Sequence, residues 1–405
     1  MRVLAANKFY FVKGGTERYF FELKRVLERH GDQVVPFAMR DERNEPSPYS
    51  DYFVSNVDFE SGGPMADALA ALRVVYSFEA RRRIEALAEA TRPDIAHLHN
   101  IAHQLSPSII AGLNARGVPV VQTLHDYKLI CPSYQMMIDG EICERCGDGR
   151  YLEAVRRRCM QGSLARSLTV CAEAYVHRFL GTYARGVRLF IAPSKSLRGR
   201  MIAHGVPAEK IVHLPNMIAM DEYEPRYESS GHGVYVGRLS AGKGVGTMLR
   251  AIARSGRVGL RIIGTGPLED GLVAEARDLG LDNVEFMGYR TGEDLKALVG
   301  DALFVIVPSE CLENSPLVVY EALALGKAVI GSRIGGIPEL VEEGRTGLLF
   351  RPGDAEELAA AIDTLTGDPA LAIEMGRAGR RKMEEDYAPE LHYRGLTDIY
   401  ERAMA

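Results

Sequence analysis

Arg238 and Lys243 lie five residues apart in Gly237-Arg238-Leu239-Ser240-Ala241-Gly242-Lys243-Gly244, where glycine and serine fill half the positions. Two cations in such a loop suit a diphosphate: the guanidinium and ammonium match phosphate charge, and main chain without Cβ atoms can approach the ligand closely. Further on, Glu313 and Glu321 stand eight apart in Pro308-Ser309-Glu310-Cys311-Leu312-Glu313-Asn314-Ser315-Pro316-Leu317-Val318-Val319-Tyr320-Glu321-Ala322. Ser315-Pro316 reads as a helix start, so the N–H groups near Leu317 and Val318 form an anion site. A carboxylate accepts hydrogen bonds from two neighbouring hydroxyls, as ribose or hexose recognition needs. One glutamate so placed is more often a cap or a surface residue; the pair is the signal. Gly14-Gly15, between a strand and a helix, is a weaker sign of the same kind. No Asp-x-Asp occurs in the chain, so Arg238 and Lys243 are expected to neutralise a leaving diphosphate in place of a metal.

These residues need rigid elements behind them. Val3–Ala6, Val34–Phe37, Asp94–Leu98 and Val118–Leu124 read as strands. Thr16 is expected to cap a helix with Tyr19, Phe20, Leu23, Val26 and Leu27 on one stripe, and Ser106-Pro107 to open another that Gly117 closes. A second series follows the acidic stretch Asp221–Glu228: strands at Val234–Val236, Leu260–Ile263, Val284–Phe286, Leu303–Val307 and Val329–Ile330, with helices starting near Gly244, Pro267, Thr291, Pro316 and Asp354. Gly326 and Gly347 are assigned to helix exits and turns. Strand–helix alternation predicts parallel sheets with right-handed crossovers, and the boundary falls near 217–230. In such sheets, ligands bind outside the carboxyl ends of the strands, where the loops named above lie.

At 405 residues the chain suits two domains rather than one core. Its 46% hydrophobic and 25% charged content are those of a soluble protein. A net charge of −5, no tryptophan and no recognisable nucleic-acid module argue against nucleic acid. Met1-Arg2 runs directly into Val3-Leu4-Ala5-Ala6 without a signal-length apolar segment, and no apolar run approaches a spanning helix, so the cytoplasm is expected. One stretch departs from the overall charge: Arg150 to Arg200 holds eleven Lys/Arg against Glu153 and Glu173. It reads either as a solvated helix face or as a surface for anionic lipid at the inner membrane face.

The whole chain resembles glycosyltransferase family 4, the retaining enzymes of the GT-B fold, in which two Rossmann-like parallel-sheet α/β domains face each other across a cleft. The likeness rests on Gly14-Gly15, His125-Asp126, Leu214-Pro215-Asn216, Val236-Gly237-Arg238-Leu239 with Lys243-Gly244, Ile263-Gly264-Thr265-Gly266-Pro267, the glutamate pair, Gly335-Gly336-Ile337-Pro338-Glu339 and Gly347-Leu348-Leu349. It implies an acceptor-side domain over 1–217, completed by a helix at about 388–405, and a donor domain over 218–387. It implies transfer of a hexose-type sugar from a nucleotide-diphosphate donor to a saccharide or lipid-linked acceptor in cell-surface polysaccharide or glycolipid assembly, without a catalytic cofactor. In that reading Arg238 and Lys243 bind the diphosphate with Gly14, Gly15, Gly237 and backbone near Leu317 and Val318. Glu321 accepts from the ribose, Glu313 with Asn314 and Ser315 holds the sugar, and His125 contacts it near the reacting carbon. Gly264, Gly266, Met287 and Tyr289 flank the base. Thr265 stands where an acidic residue is common, and Asn314-Ser315-Pro316 where Gly-Phe-Gly is commoner, so base contacts and sugar preference do not carry over. The alternatives are a sugar-nucleotide epimerase of the same fold and a non-catalytic sugar- or nucleotide-binding protein.

Cys131, Cys143, Cys146 and Cys159 fall within 29 residues around a Cys-x2-Cys core. The spacing fits a structural zinc site, buried apolar thiols, or a redox pair. His97, His99 and His103 cluster near one strand end, where lining a cleft with Asn100 is favoured over binding a metal.

Overall fold

Strand β1 (Arg2–Ala6) is buried from Val3 onward on both faces, as a strand inside a parallel sheet must be. The computed structural model describes residues 1–56, 64–255 and 258–405, the side chains of 64–68 excepted. After β1 come α1 (Gly15–Arg29), β2 (Gln33–Phe37), α2 (Pro64–Val75), α3 (Phe78–Thr91), β3 (Ile95–Leu98), α4 (Ser108–Ala115) and β4 (Val120–Thr123). A short hairpin, β5 (Met137–Ile138) and β6 (Glu141–Ile142), leads to α5 (Leu152–Arg156), α6 (Leu164–Phe179), α7 (Thr182–Gly186), β7 (Leu189–Ala192), α8 (Lys195–Ala203) and β8 (Ile211–His213). The six long strands form one parallel sheet ordered β2-β1-β3-β4-β7-β8.

The second series is β9 (Gly233–Val236), α9 (Val245–Ser255), β10 (Leu260–Ile263), α10 (Glu269–Asp278), β11 (Val284–Gly288), α11 (Gly292–Gly300), β12 (Phe304–Val307), α12 (Leu317–Ala324), β13 (Ala328–Ser332), α13 (Ile337–Leu340), β14 (Gly347–Phe350), α14 (Ala355–Gly367), α15 (Pro369–Asp386) and α16 (Pro389–Met404). Its sheet runs β11-β10-β9-β12-β13-β14, so the order reverses between β9 and β12. Tyr235, Met248, Leu260, Ile262, Phe304, Ile330, Leu358 and Ile362 are among the residues of its core. Backbone proximity separates one unit of 1–138, 143–215 and 392–405 from another of 139–142 and 216–391.

Several local expectations are corrected. Thr16 does not cap α1: the helix starts one residue earlier, extended Gly14 takes the cap position without a side-chain bond, and Glu17 puts negative charge in the first turn. Gly347 opens β14 rather than making a turn; a Cβ there would stand 2.0 Å from the Val329 carbonyl oxygen, so only glycine lets that strand approach β13. Strands β7 and β8 lie where no strand is read from sequence. Asp354 does cap α14, accepting from the Glu356 and Glu357 N–H groups. Among the described residues no helix is long and apolar enough to cross a membrane.

Candidate active site

In the second unit the loops after β9 and β12 meet at the point where the strand order reverses. The Gly242 carbonyl accepts from the N–H groups of Glu310 (2.8 Å) and Cys311 (3.0 Å). Gly244 has φ +70°, and a Cβ there would fall 1.8 Å from the Pro308 carbonyl oxygen. The loop after β10 joins in: Leu239 N–H donates to the Thr265 carbonyl (3.0 Å) and Gly237 N–H to that of Ile263 (3.0 Å). Cβ atoms on Gly264 and Gly266 would stand 1.9 and 2.2 Å from the carbonyls of Gly237 and Leu239. These glycines are therefore explained by close backbone contact among three neighbouring loops. Gly244→Ala is expected to destabilise the second unit by about 2 kcal/mol or more and to weaken nucleotide binding, read by denaturant unfolding and by titration with UDP.

The chemistry-bearing side chains rest on this frame. Lys243 Nζ donates to Glu313 Oε1 at 2.6 Å, and Ser309 Oγ donates to the same oxygen at 2.7 Å. Burial alone would lower the Lys243 pKa, but the Glu313 carboxylate, with Cys311 beside it, holds it above the ordinary lysine value. The Glu313 main chain is pinned as well: its carbonyl accepts from Gly336 N–H at 2.8 Å, and a Cβ on Gly335 would lie 2.1 Å from it. Arg238 is exposed, and among the described residues its guanidinium has no ion pair or side-chain hydrogen bond; Tyr235 OH donates to its carbonyl at 3.1 Å. Helix α12 starts behind Pro316 with no side-chain cap, and Leu317 and Val318, both half-buried residues, stand at its positive end. Ser315 Oγ and Tyr320 OH are 2.9 Å apart at that end, and Glu321 Oε1 accepts from Tyr223 OH at 3.5 Å. Gly264 N–H bonds the Gly288 carbonyl (2.9 Å), which ties the loop to β11, where Met287 is half-buried and Tyr289 exposed. Thus Arg238, Lys243, Glu313, Asn314, Ser315, Leu317, Val318 and Glu321 belong to one loop system, with Met287 and Tyr289 at its β11 end.

Gly14, Gly15 and His125 belong to the first unit. Gly14 is not crowded; a Cβ would come no closer than 3.8 Å to Glu17. His125 follows β4. Its Nε2 lies 3.2 Å from His99 Nδ1, and His99 stacks on His97 with ring centroids 4.2 Å apart. His97 bonds the hydroxyls of Thr123 and Tyr400, each at 2.7 Å. Tyr19 packs edge-on against His125 and bonds His392 at 2.9 Å. Burial, reinforced at His97 by its neighbours, drops the His97 and His125 pKa values to about 3, and burial drops His103 and His392 to about 4. These imidazoles are neutral at physiological pH. With Asn100, Gln122 and Asp126, His99 and His125 line a cleft at the strand ends. Sequence reading missed the charges around it. Burial lowers the pKa of Lys8 and raises that of Asp126, while Lys128 Nζ bonds both the Pro132 carbonyl (2.9 Å) and buried Glu173 (2.8 Å). Only the Asp126 position, beside His125, offered a signal.

The zinc expectation for Cys131, Cys143, Cys146 and Cys159 finds no ligand set: among the described residues no three His, Cys, Asp or Glu side chains are placed to hold a metal ion. All six thiols are free. Burial, then the neighbouring Cys131, Cys159 and Cys143, push the Cys146 thiol up to about 12, and it packs with Tyr151, Ala154, Cys171 and Cys159 as a small apolar group.

Residues 13–222 match the profile described as Glycosyltransferase Family 4, and 224–382 that described as Glycosyl transferases group 1. The amylovoran biosynthesis glycosyltransferase AmsK of Erwinia amylovora is 31% identical over 228 residues, 53% of this chain and 56% of that protein. Sucrose-phosphate synthase from Thermosynechococcus elongatus superposes with a TM-score of 0.72 at 21% identity, over 99% of this chain and 98% of that one. Anabaena HepE in complex with UDP-glucose gives 0.68 at 18%, over 99% of both chains. At those identities the two structures establish a shared GT-B architecture.

Proposed function

Since the chain belongs to glycosyltransferase family 4, we propose that it transfers a hexose-type sugar, with retention, from a nucleotide-diphosphate donor to a saccharide or lipid-linked acceptor. The observation that carries this reading is the exposed, unpaired Arg238 guanidinium on the loop that presents the Lys243–Glu313 pair, where the strand order reverses. HepE, which binds UDP-glucose, supports a nucleotide-sugar donor; AmsK, an amylovoran biosynthesis enzyme, supports a role in polysaccharide assembly.

The steps follow from charge and position. Arg238 and Lys243 bind the pyrophosphate, and the α12 N–H groups add partial positive charge without reorganising. Ser309 and Lys243 both hold Glu313 Oε1, which fixes the carboxylate and turns Oε2 to the sugar hydroxyls. Glu321 takes the ribose. As the anomeric C–O bond breaks, negative charge grows on the β-phosphate, where the cations stabilise it. The acceptor oxygen then attacks on the same face and gives its proton to that phosphate, so no side chain acts as nucleophile. The assignment of His125 to the sugar rests on the family resemblance; burial keeps its imidazole neutral, so in that role it would add no positive charge beside an oxocarbenium-like carbon.

Incubating the purified chain with UDP-, GDP- and ADP-sugars is expected to show hydrolysis or tight binding for one of the three, with the released sugar keeping its anomeric configuration by NMR. Consumption of none, or epimerisation without release, would end the proposal. Because fixed cations carry the leaving charge, the rate is expected to survive excess EDTA; loss on chelation with recovery on adding Mg²⁺ would assign that role to a metal.

A further inference from the structure

Besides Lys243 on Glu313, another side-chain bond ties the loop after β9 to the loop after β12, and the chemistry above gives it no part. It starts on the first turn of α9, the helix into which the Lys243 loop runs. There Thr247, 2% exposed, donates its only hydroxyl hydrogen to Glu310 Oε1 at 2.6 Å. The hydroxyl oxygen in turn accepts from Arg250 Nη2 at 2.9 Å, and Arg250 Nη1 reaches Glu275 at 3.0 Å. A hydroxyl that receives a guanidinium N–H is a stronger donor to the carboxylate beyond it. The main chain holds Glu310 as well: its N–H donates at 2.8 Å to the carbonyl of Gly242, the residue before Lys243.

The two bonds differ in what a donor does to them. Lys243 Nζ is bonded to Glu313, and a diphosphate beside it draws the ammonium away, which loosens that link just when both side chains must stay in register. Thr247 is buried, out of reach of a ligand, so its bond to Glu310 is left intact. It lies four residues beyond Lys243, and Glu310 three before Glu313, so slack at this bond passes directly to both. We propose that Thr247 and Glu310 are positioning residues for the transfer step: their bond clasps the two loops together while Lys243 shifts its charge from Glu313 to the leaving diphosphate. The proposal rests on the donor reading above and adds to it the part that keeps cation and carboxylate aligned. Neither residue touches the donor.

The test is hydrolysis of UDP-, GDP- and ADP-glucose by the full chain, with the active fraction counted by titration with UDP, GDP and ADP. Thr247→Val keeps the shape and removes the hydroxyl. It is expected to lower kcat by about ten- to a hundredfold, the effect of a small misplacement of reacting groups, while KM moves by less than about threefold. Thr247→Ser restores the hydroxyl and is expected to bring kcat back to within about threefold of wild type. Glu310→Gln, which still accepts the bond, should behave like Thr247→Ser, and Glu310→Ala like Thr247→Val. Ser255→Ala breaks a 2.5 Å bond to Asp363 at the far end of the same helix, so it should lower the melting temperature and leave kcat alone. If Thr247→Val fails to fold, Glu310→Ala against Glu310→Gln carries the test. Wild-type kcat without the hydroxyl, a loss that Thr247→Ser does not repair, or an equal kcat loss in Ser255→Ala would overturn the proposal with the donor reading intact. A wild-type chain that hydrolyses none of the three sugars would remove the donor reading, and the clasp's role with it.

Discussion

Replacing Arg238 by alanine is expected to lower sugar transfer by two to three orders of magnitude, about the effect of removing one preorganised donor from a developing oxyanion, with no change in melting temperature. The second half of that result follows from exposure: the guanidinium has no partner among the described residues, so nothing in the fold loses a bond. Lys243→Ala is expected to match the kinetic loss but also to cost about 2 kcal/mol of stability, because Glu313, at 16% side-chain exposure, loses its charge partner 2.6 Å away. The two contributions separate in a double-mutant cycle. Lys243→Ala combined with Glu313→Gln should be far less destabilising than the sum of the single changes, since both remove one interaction. Full activity in the Arg238 variant, or additive losses in the pair, would take the diphosphate role from this loop. Steady-state kcat/KM with chemical denaturation reads all of it.

Acidification is expected to unfold the first unit well before the second. Nine of the ten histidines lie in the first unit; only His232 lies in the other. For His97, His99, His103, His125 and His392 burial holds the folded pKa below the ordinary value of 6.5, to about 3 or 4 where resolved. A depressed histidine pKa means the unfolded chain takes protons that the folded one refuses. Their contribution is intact above pH 6.5 and is lost progressively as pH falls from there toward 3. At pH 5 each fully buried ring costs up to about 2 kcal/mol, and mutual coupling makes the sum smaller than the parts. Asp126 and Glu17, whose pKa values burial raises, run the other way and give back part of the loss. Hydrogen exchange resolved by peptide between pH 7 and 5 should show β3, β4 and α16 losing protection while β9, β12 and α12 keep it. Simultaneous loss in both units would sink the assignment.

Much of the second unit was legible in sequence because close backbone contact between its loops requires glycine. Gly244, Gly264 and Gly266 each meet a carbonyl within about two ångströms of an added Cβ, and such positions leave a mark in the chain itself. The Lys243–Glu313 bond leaves none: its partners are 70 residues apart, and only the pairing of β9 with β12 brings their loops together. Gly347 is held to glycine by the same kind of contact, the Val329 carbonyl oxygen 2.0 Å from an added Cβ, but it lies between paired strands, where a lone glycine reads as a turn. The imidazole row was half legible. His97 and His99 share a strand face by alternation, but Tyr400, which closes the row, comes from α16, 303 residues further on. The cysteine spacing offered a metal reading that side-chain placement does not support.

The placement of α16 has a consequence for synthesis. The second unit is contiguous from Asn216 to Leu391 apart from four earlier residues, so it can assemble soon after that length has left the ribosome. The first unit, although translated first, waits for His392 and Tyr400 before Tyr19 and His97 find their partners. Vectorial order is thus reversed: the half made earliest matures last, and a ribosome that stalls before residue 400 leaves an unsealed histidine cluster for chaperones and proteases to find.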